Sequence, residues 1–230
     1  MSEKPILFSG VMVRAILDGR KTVTRRILKD VPPPPAMDAI HPNNHAKHPE
    51  PYFDSYCGDR KTALNPRGMS DRWCWWTRDD RQCLPTVKVR WVPGDRLWVR
   101  ETFSGLHVYD EYKWPPSAWS SANPIWYWAD GNPPDGDWTK PRPSIHMPRW
   151  ASRITLLVTG VQVERLQDIT EADAWAEGVW NCGETDGGRS RGEGRSLYRS
   201  LWDHINGTGS WEANPWVVVV SFHRVEQSNV

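Results

Sequence analysis

Residues 152 to 165, Ser-Arg-Ile-Thr-Leu-Leu-Val-Thr-Gly-Val-Gln-Val-Glu-Arg, restrict the possible fold more than any other stretch of the chain. β-Branched and aliphatic side chains dominate the run and Gly160 interrupts it, which predicts one long strand with a bend or bulge at the glycine. Small barrels use such bends to close a sheet. Other segments supply partners for it. Pro5-Ile6-Leu7-Phe8 is a short apolar strand, Thr22 to Leu28 a second, and Trp216 to Phe222 a third that closes the chain. Thr86 to Val92 and Arg96 to Glu101 alternate polar and apolar residues about Pro93-Gly94-Asp95, the pattern of a β-hairpin. Ile125 to Trp128 is a further strand candidate.

Helices are few and short. Ser9 is the N-cap candidate of a helix that Gly19 stops. Thr170 is the N-cap of a second, with Glu171 and Asp173 in its first turn and Gly178 as its end. A third runs from about Ser196 to Ile205. The expectation is an α+β fold, a small mixed β-barrel with peripheral short helices and large loop insertions.

Two stretches fall outside that regularity. Residues 29 to 85 hold Pro32-Pro33-Pro34-Pro35, scattered His and Asn, and Trp73-Cys74-Trp75-Trp76. They read as a long insertion without regular core elements, folded over the core and anchored by its tryptophans. Residues 103 to 150 are the second insertion, so all 230 residues are read as one domain. The Gly- and Arg-rich stretch 183 to 195 reads as a mobile loop, and Gly187-Gly188-Arg189 lacks the Gly-Lys-Ser/Thr ending of a phosphate loop.

Charge narrows the partners. With 29 Lys and Arg against 28 Asp and Glu, no global positive field draws long nucleic acid, so nucleic-acid chemistry must be local. No apolar run approaches the roughly 20 residues that span a bilayer. The N-terminus has no charged-then-apolar signal segment and Cys57, Cys74, Cys83 and Cys182 form no Cys-x-x-Cys pair, which points to a reducing, cytoplasmic setting. His41, His45 and His48 precede three of those cysteines at spacings that fit no zinc knuckle or ribbon, so free thiols and no metal are expected. The 16 tryptophans read mainly as volume fillers of a core poor in aliphatic layers, with a few free to stack on a planar heterocycle.

The chemistry concentrates in Gly19-Arg20-Lys21-Thr22-Val23-Thr24-Arg25-Arg26, directly after a helix end. On a regular strand Thr22, Thr24 and Arg26 point to one face and Lys21, Val23 and Arg25 to the other. Lys21 and Thr24 can therefore meet only if Lys21 still lies in the bend after Gly19. Arg25 reads as a surface charge.

Gly19, Lys21, Thr24 and Arg26 fall in register with Gly-x-Lys-x-x-Thr/Glu-x-Arg, the signature of the ASCH domain, a PUA-like β-barrel, which this chain resembles. The likeness extends to Pro93-Gly94-Asp95 entering a strand, to Ile169-Thr170-Glu171-Ala172-Asp173-Ala174 followed by Glu177, and to the C-terminal strand. It is similar to the larger bacteriophage and prophage members, and the matches cover about half of the chain. The resemblance implies a metal-independent amidohydrolase that removes the acyl group from N4-acetylcytidine-like nucleosides or bases. By motif position the catalytic lysine, threonine and glutamate fall on Lys21, Thr24 and Glu177, and no cofactor is implied. A modified cytidine is the expected partner. RNA is the alternative one, since other relatives are RNA-binding modules or a ribonuclease.

Those residue types suit the reaction. A threonine hydroxyl attacks an amide only when a base takes its proton, and a lysine crowded by Arg20, Arg25 and Arg26 is destabilised in its charged form. Glu177 would orient the substrate or pass a proton to the departing nitrogen. Arg26 would hold the carbonyl oxygen as it gains charge. Phe8, Trp98 and Glu101 are further candidate substrate contacts, although a salt bridge to an arginine is the simpler role for Glu101.

Overall fold

The computed structural model describes residues 3–29, 31, 52–76, 83–179 and 194–225. In chain order its elements are β1 (Glu3–Leu7), α1 (Gly10–Leu17), β2 (Val23–Ile27), β3 (Tyr52–Cys57), β4 (Met69–Trp76), β5 (Cys83–Lys88), β6 (Arg96–Arg100), β7 (Phe103–Ser104), α2 (Val108–Glu111), β8 (Trp126–Tyr127), β9 (Thr155–Arg165), α3 (Glu171–Ala176), α4 (Gly194–Asn206) and β10 (Trp216–Val225). No helix among these is long and apolar enough to cross a membrane.

The long β-branched run is β9, at the centre of a five-stranded sheet ordered β1-β6-β9-β10-β2. Its register against β10 slips beside Gly160: Ser221 faces Gly160 while Phe222 faces Val158, leaving Thr159 as the extra residue of a bulge. β10 is buried on both faces, which explains its unbroken valine run. Val218 and Val220 pack into the main core with Ile6, Val13 and Leu97. Val217 and Val219 pack into a second core under α3 and α4, with Leu166, Tyr198 and Trp202.

Edge strands β1 and β2 share no backbone ladder among the described residues, so the sheet is open rather than a closed barrel. A side chain spans the gap instead: Arg26 Nη2 on β2 donates to the carbonyl oxygen of Leu7 at the end of β1, 2.6 Å away. The α+β class holds.

The 86–101 region departs from the hairpin expectation. β5 pairs antiparallel with β4, whereas β6 pairs parallel with β1 and antiparallel with β9. The intervening turn is real, with Gly94 in the left-handed region at φ +93° and Asp95 Oδ2 accepting from Val92 N at 3.0 Å. It carries the chain from one sheet to another because Asp95 is also tied to Lys4 of β1, 2.6 Å away. Alternation specifies a strand, not its neighbour.

Residues 29 to 85 also hold more order than their composition suggests, since β3, β4 and β5 form a three-stranded antiparallel sheet. Its anchor is the tryptophan cluster. Trp73 joins the main core, and the Trp75 ring meets Trp216 of β10 edge-on at 6.0 Å. Residues 103 to 150 carry a small core of their own around Phe103, Tyr109, Trp119 and Met147. The 183–195 stretch lies, up to residue 193, outside the described residues.

Candidate active site

Lys21 is placed by the end of α1. Gly19 takes φ +73°, and the amides of Arg20 and Lys21 both donate to Ala15 O at 2.8 and 2.9 Å, so the chain leaves the helix axis before β2 begins at Val23. Lys21 therefore sits in the bend, as the motif requires. Its side chain is fully buried, and Nζ donates to Val23 O at 2.8 Å, Glu177 O at 2.8 Å and Glu177 Oε2 at 2.7 Å. Three acceptors meet the three N–H groups of an ammonium. Burial nevertheless draws the proton affinity of Lys21 below the ordinary 10.5; the Glu177 carboxylate opposes that and the Arg26 and Arg25 charges add to it.

Glu177 is placed by the end of α3. Thr170 and Asp173 close a reciprocal capping box at the start of that helix, and Glu177 is its C-cap residue. Gly178 follows at φ +80°, packed so closely that a Cβ there would lie 2.9 Å from the Cβ atoms of both Ala15 and Lys21. That approach brings the Glu177 carbonyl to the Lys21 amine. The other carboxylate oxygen, Oε1, accepts from Arg25 Nη1 and from the Tyr198 hydroxyl, each at 3.3 Å. Arg25 continues to Glu164 Oε1 at 2.9 Å and lies 3.5 Å from Asp173 Oδ2. Burial first, then the Glu177 charge, push the Tyr198 phenol up from its ordinary value, so it remains a neutral donor.

A cavity of about 230 Å³ opens beside this network, lined by Thr24, Arg25, Arg26, Glu177 and Tyr198, with Met12, Leu201 and Trp202 as apolar wall. β2 is an edge strand, so a hollow beside it is reached by side chains from both of its faces. Thr24 is buried, its hydroxyl bonds no other described residue, and the residue lines the hollow. Arg26, whose guanidinium lies 5.3 Å from the Phe8 ring centroid, forms no ion pair among the described residues.

Of the residues singled out in the sequence, Thr24, Arg26 and Glu177 line this cavity together. Lys21 contacts it through Glu177 and is not part of the wall. No hydrogen bond joins Lys21 to Thr24. Phe8 is buried beneath the site, its ring 5.6 Å from Lys21 Nζ, and supports the wall rather than forming it.

Trp98 and Glu101 lie elsewhere. The Trp98 ring is covered by the Arg100 guanidinium at 4.5 Å. Arg153 binds both oxygens of Glu101 at 2.9 and 3.0 Å and holds Asp130 as well, so Glu101 has the salt-bridge role. Arg25 is corrected from surface charge to buried cation: the face of β2 that carries it is covered by the second core and met by acids from β9 and α3. Tyr198 was not anticipated, and only its apolar neighbours at helical spacing marked it, as a core position.

His41, His45 and His48 fall outside the described residues, Cys57 is a free thiol, and no cluster of three metal-ligating side chains exists among the described residues. No protein-family model, curated protein or solved structure matches this chain. The resemblance to the ASCH domain thus stands on the motif residues themselves.

Proposed function

We propose that this protein is an amidohydrolase that removes the acyl group from N4-acylcytosine nucleosides or bases, on a PUA-like, barrel-related scaffold whose edge strands are joined through Arg26. The observation that carries the reading is the Lys21–Glu177 pair, buried and 2.7 Å apart, whose Glu177 lines a cavity together with Thr24, a hydroxyl that bonds no other described residue. Perturbed, buried ionisable pairs at the edge of a cavity are the usual place to find acid–base chemistry. The cavity is smaller than the roughly 300–1,000 Å³ of pockets for drug-sized ligands, which suits a single base with a short acyl group.

In this reading the neutral form of Lys21, which burial favours, releases Val23 O while still donating to Glu177, and its lone pair turns toward Thr24. The Thr24 hydroxyl adds to the acyl carbonyl as its proton moves to Lys21, and Arg26 holds the oxygen that becomes negative. The C–N4 bond then breaks, Lys21 returns its proton to the departing cytosine nitrogen, and water hydrolyses the acyl-threonine ester. Cytosine N3, conjugated with N4, makes the base a better leaving group than an alkyl amine. Arg25 and Tyr198 keep the Glu177 carboxylate in place throughout.

The test is incubation of purified protein with N4-acetylcytidine while the absorbance of the acylated base is followed. Turnover by the native chain that is lost in Thr24→Val supports the reading. Absence of turnover in the native chain, or an undiminished rate in Thr24→Val, defeats it.

A further inference from the structure

A second hollow, about 820 Å³, is built wholly from the 103–150 segment and shares no lining residue with the cavity beside Glu177. Lys113, Lys140 and Arg142 contribute positive charge to its wall against one acid, Asp110. Asp110 is already committed, because its two oxygens accept from the backbone amide of Lys140 at 2.9 Å and from Arg142 Nη2. Neither lysine has an ion-pair partner among the described residues. The Nε of Arg142 is buried without a hydrogen bond.

Trp114 lines the same hollow, its ring 5.8 Å from that of Tyr112 and 6.1 Å from that of Tyr109, both tilted against it. Its backbone is fixed, with its amide donating to Tyr109 O at 2.9 Å and its carbonyl accepting from Trp119 Nε1 at 3.1 Å, yet its side of the fold leaves the residue 48% exposed. The residue before it, Lys113, takes φ +54° at the end of α2. That is the left-handed helix-end position where glycine costs least and a side chain is uncommon. A strained lysine beside a half-exposed indole, in a hollow with excess positive charge, fits a ligand that is both planar and multiply anionic.

We propose that this hollow is a nucleotide-binding site, in which a base stacks on Trp114 and its phosphate is held by Lys113, Lys140 and Arg142. The site is independent of the chemistry assigned to Thr24 and Lys21. Sequential stacking on an indole tolerates any base, so the phosphate rather than base identity dominates recognition, and binding weakens steeply with salt. The same chemistry serves a mononucleotide or the backbone of a single strand.

The experiment is calorimetric titration of the full chain, at low salt, with cytidine 5′-monophosphate, cytidine, and a single-stranded RNA hexamer. Cytidine 5′-monophosphate is expected to bind about tenfold or more tightly than cytidine. Lys113→Gly keeps or raises the melting temperature, because glycine accepts the backbone conformation, yet binds the monophosphate about fivefold more weakly. Trp114→Ala weakens it about tenfold. Any N4-acetylcytidine turnover stays at the native rate in both variants. A hexamer that binds more tightly than the monophosphate identifies a strand as the ligand; equal or weaker binding identifies a mononucleotide. The proposal is overturned if cytidine binds as tightly as its monophosphate, or if Lys113→Gly binds the monophosphate like the native chain.

Discussion

Glu177 holds Lys21 twice, through its carboxylate Oε2 at 2.7 Å and through its own backbone carbonyl at 2.8 Å, across 156 positions of sequence. One contact fixes the charge and the other fixes the backbone that carries it. The end of α3 and the exit from α1 are thereby locked together at the cavity, and the amide of Thr22 adds a further tie to Ala176 O at 2.9 Å.

Breaking this pair from one side leaves a buried charge uncompensated, which costs about 3–5 kcal/mol. Glu177→Gln is therefore expected to unfold at markedly lower urea concentration than the native chain. The double variant Lys21→Met with Glu177→Gln removes both charges and is expected to recover part of that loss. Equal stability of Glu177→Gln and the native chain in urea titrations would show that the pair is not what holds the two helix ends.

Thr24 separates chemistry from folding. Its hydroxyl has no hydrogen-bond partner among the described residues, so Thr24→Val should change stability by less than about 1 kcal/mol while N4-acetylcytidine turnover falls at least a hundredfold. Thr24→Ser keeps the nucleophilic oxygen and should retain measurable turnover. Initial rates at saturating substrate, beside melting curves of the same samples, decide both points.

The pH dependence follows from the direction of the Lys21 shift. Burial lowers its pKa below 10.5, so activity that needs the neutral amine rises with pH along a limb centred below that value. Between the folded and unfolded values the folded chain binds fewer protons, so the Lys21 contribution to stability also rises with pH across that window. Removing the carboxylate in Glu177→Gln deletes the main influence that raises the pKa, and the limb should move to lower pH. A profile of kcat/KM that stays in place in this variant would exclude Lys21 as the base.

Two glycines give a contrast. Gly19 and Gly178 both occupy the left-handed region, at φ +73° and +80°, but a Cβ at Gly19 meets nothing within 4 Å while one at Gly178 lies 2.9 Å from Ala15 and Lys21. Gly19→Ala should lose about 1–2 kcal/mol from backbone conformation alone. Gly178→Ala should lose more and also reduce turnover, because it pushes Lys21 away from Glu177. Similar losses in the two variants by chemical denaturation would show that the close approach is relieved elsewhere.

Much of the local structure was legible in the sequence. Gly19 and Gly178 marked helix ends because few other residues accept positive φ, Thr170 announced an N-cap with acids in the first turn behind it, and the β-branched run with Gly160 announced a strand with a bend or bulge. The same reasoning failed at Thr86 to Glu101, where two strands joined by a tight turn belong to different sheets, and in residues 29 to 85, where cross-strand partners rather than propensity organise the strands Tyr52–Cys57, Met69–Trp76 and Cys83–Lys88. Trp98 and Glu101 looked like site residues because of their type and neighbourhood in the chain. Their surroundings in space, Arg100 and Arg153, give them other work.

By itself the sequence determined where the backbone turns, caps and extends, and that Lys21 leaves a helix end ahead of Thr24, since these depend on the conformational preferences of a few consecutive residues. Only the tertiary structure decided that Arg25 points into the protein, that Tyr198 joins the site, and that the acceptors around Lys21 come from Val23 and Glu177. Burial and electrostatic pairing depend on which distant segments pack together, and a buried charge takes its character from neighbours that no local pattern names.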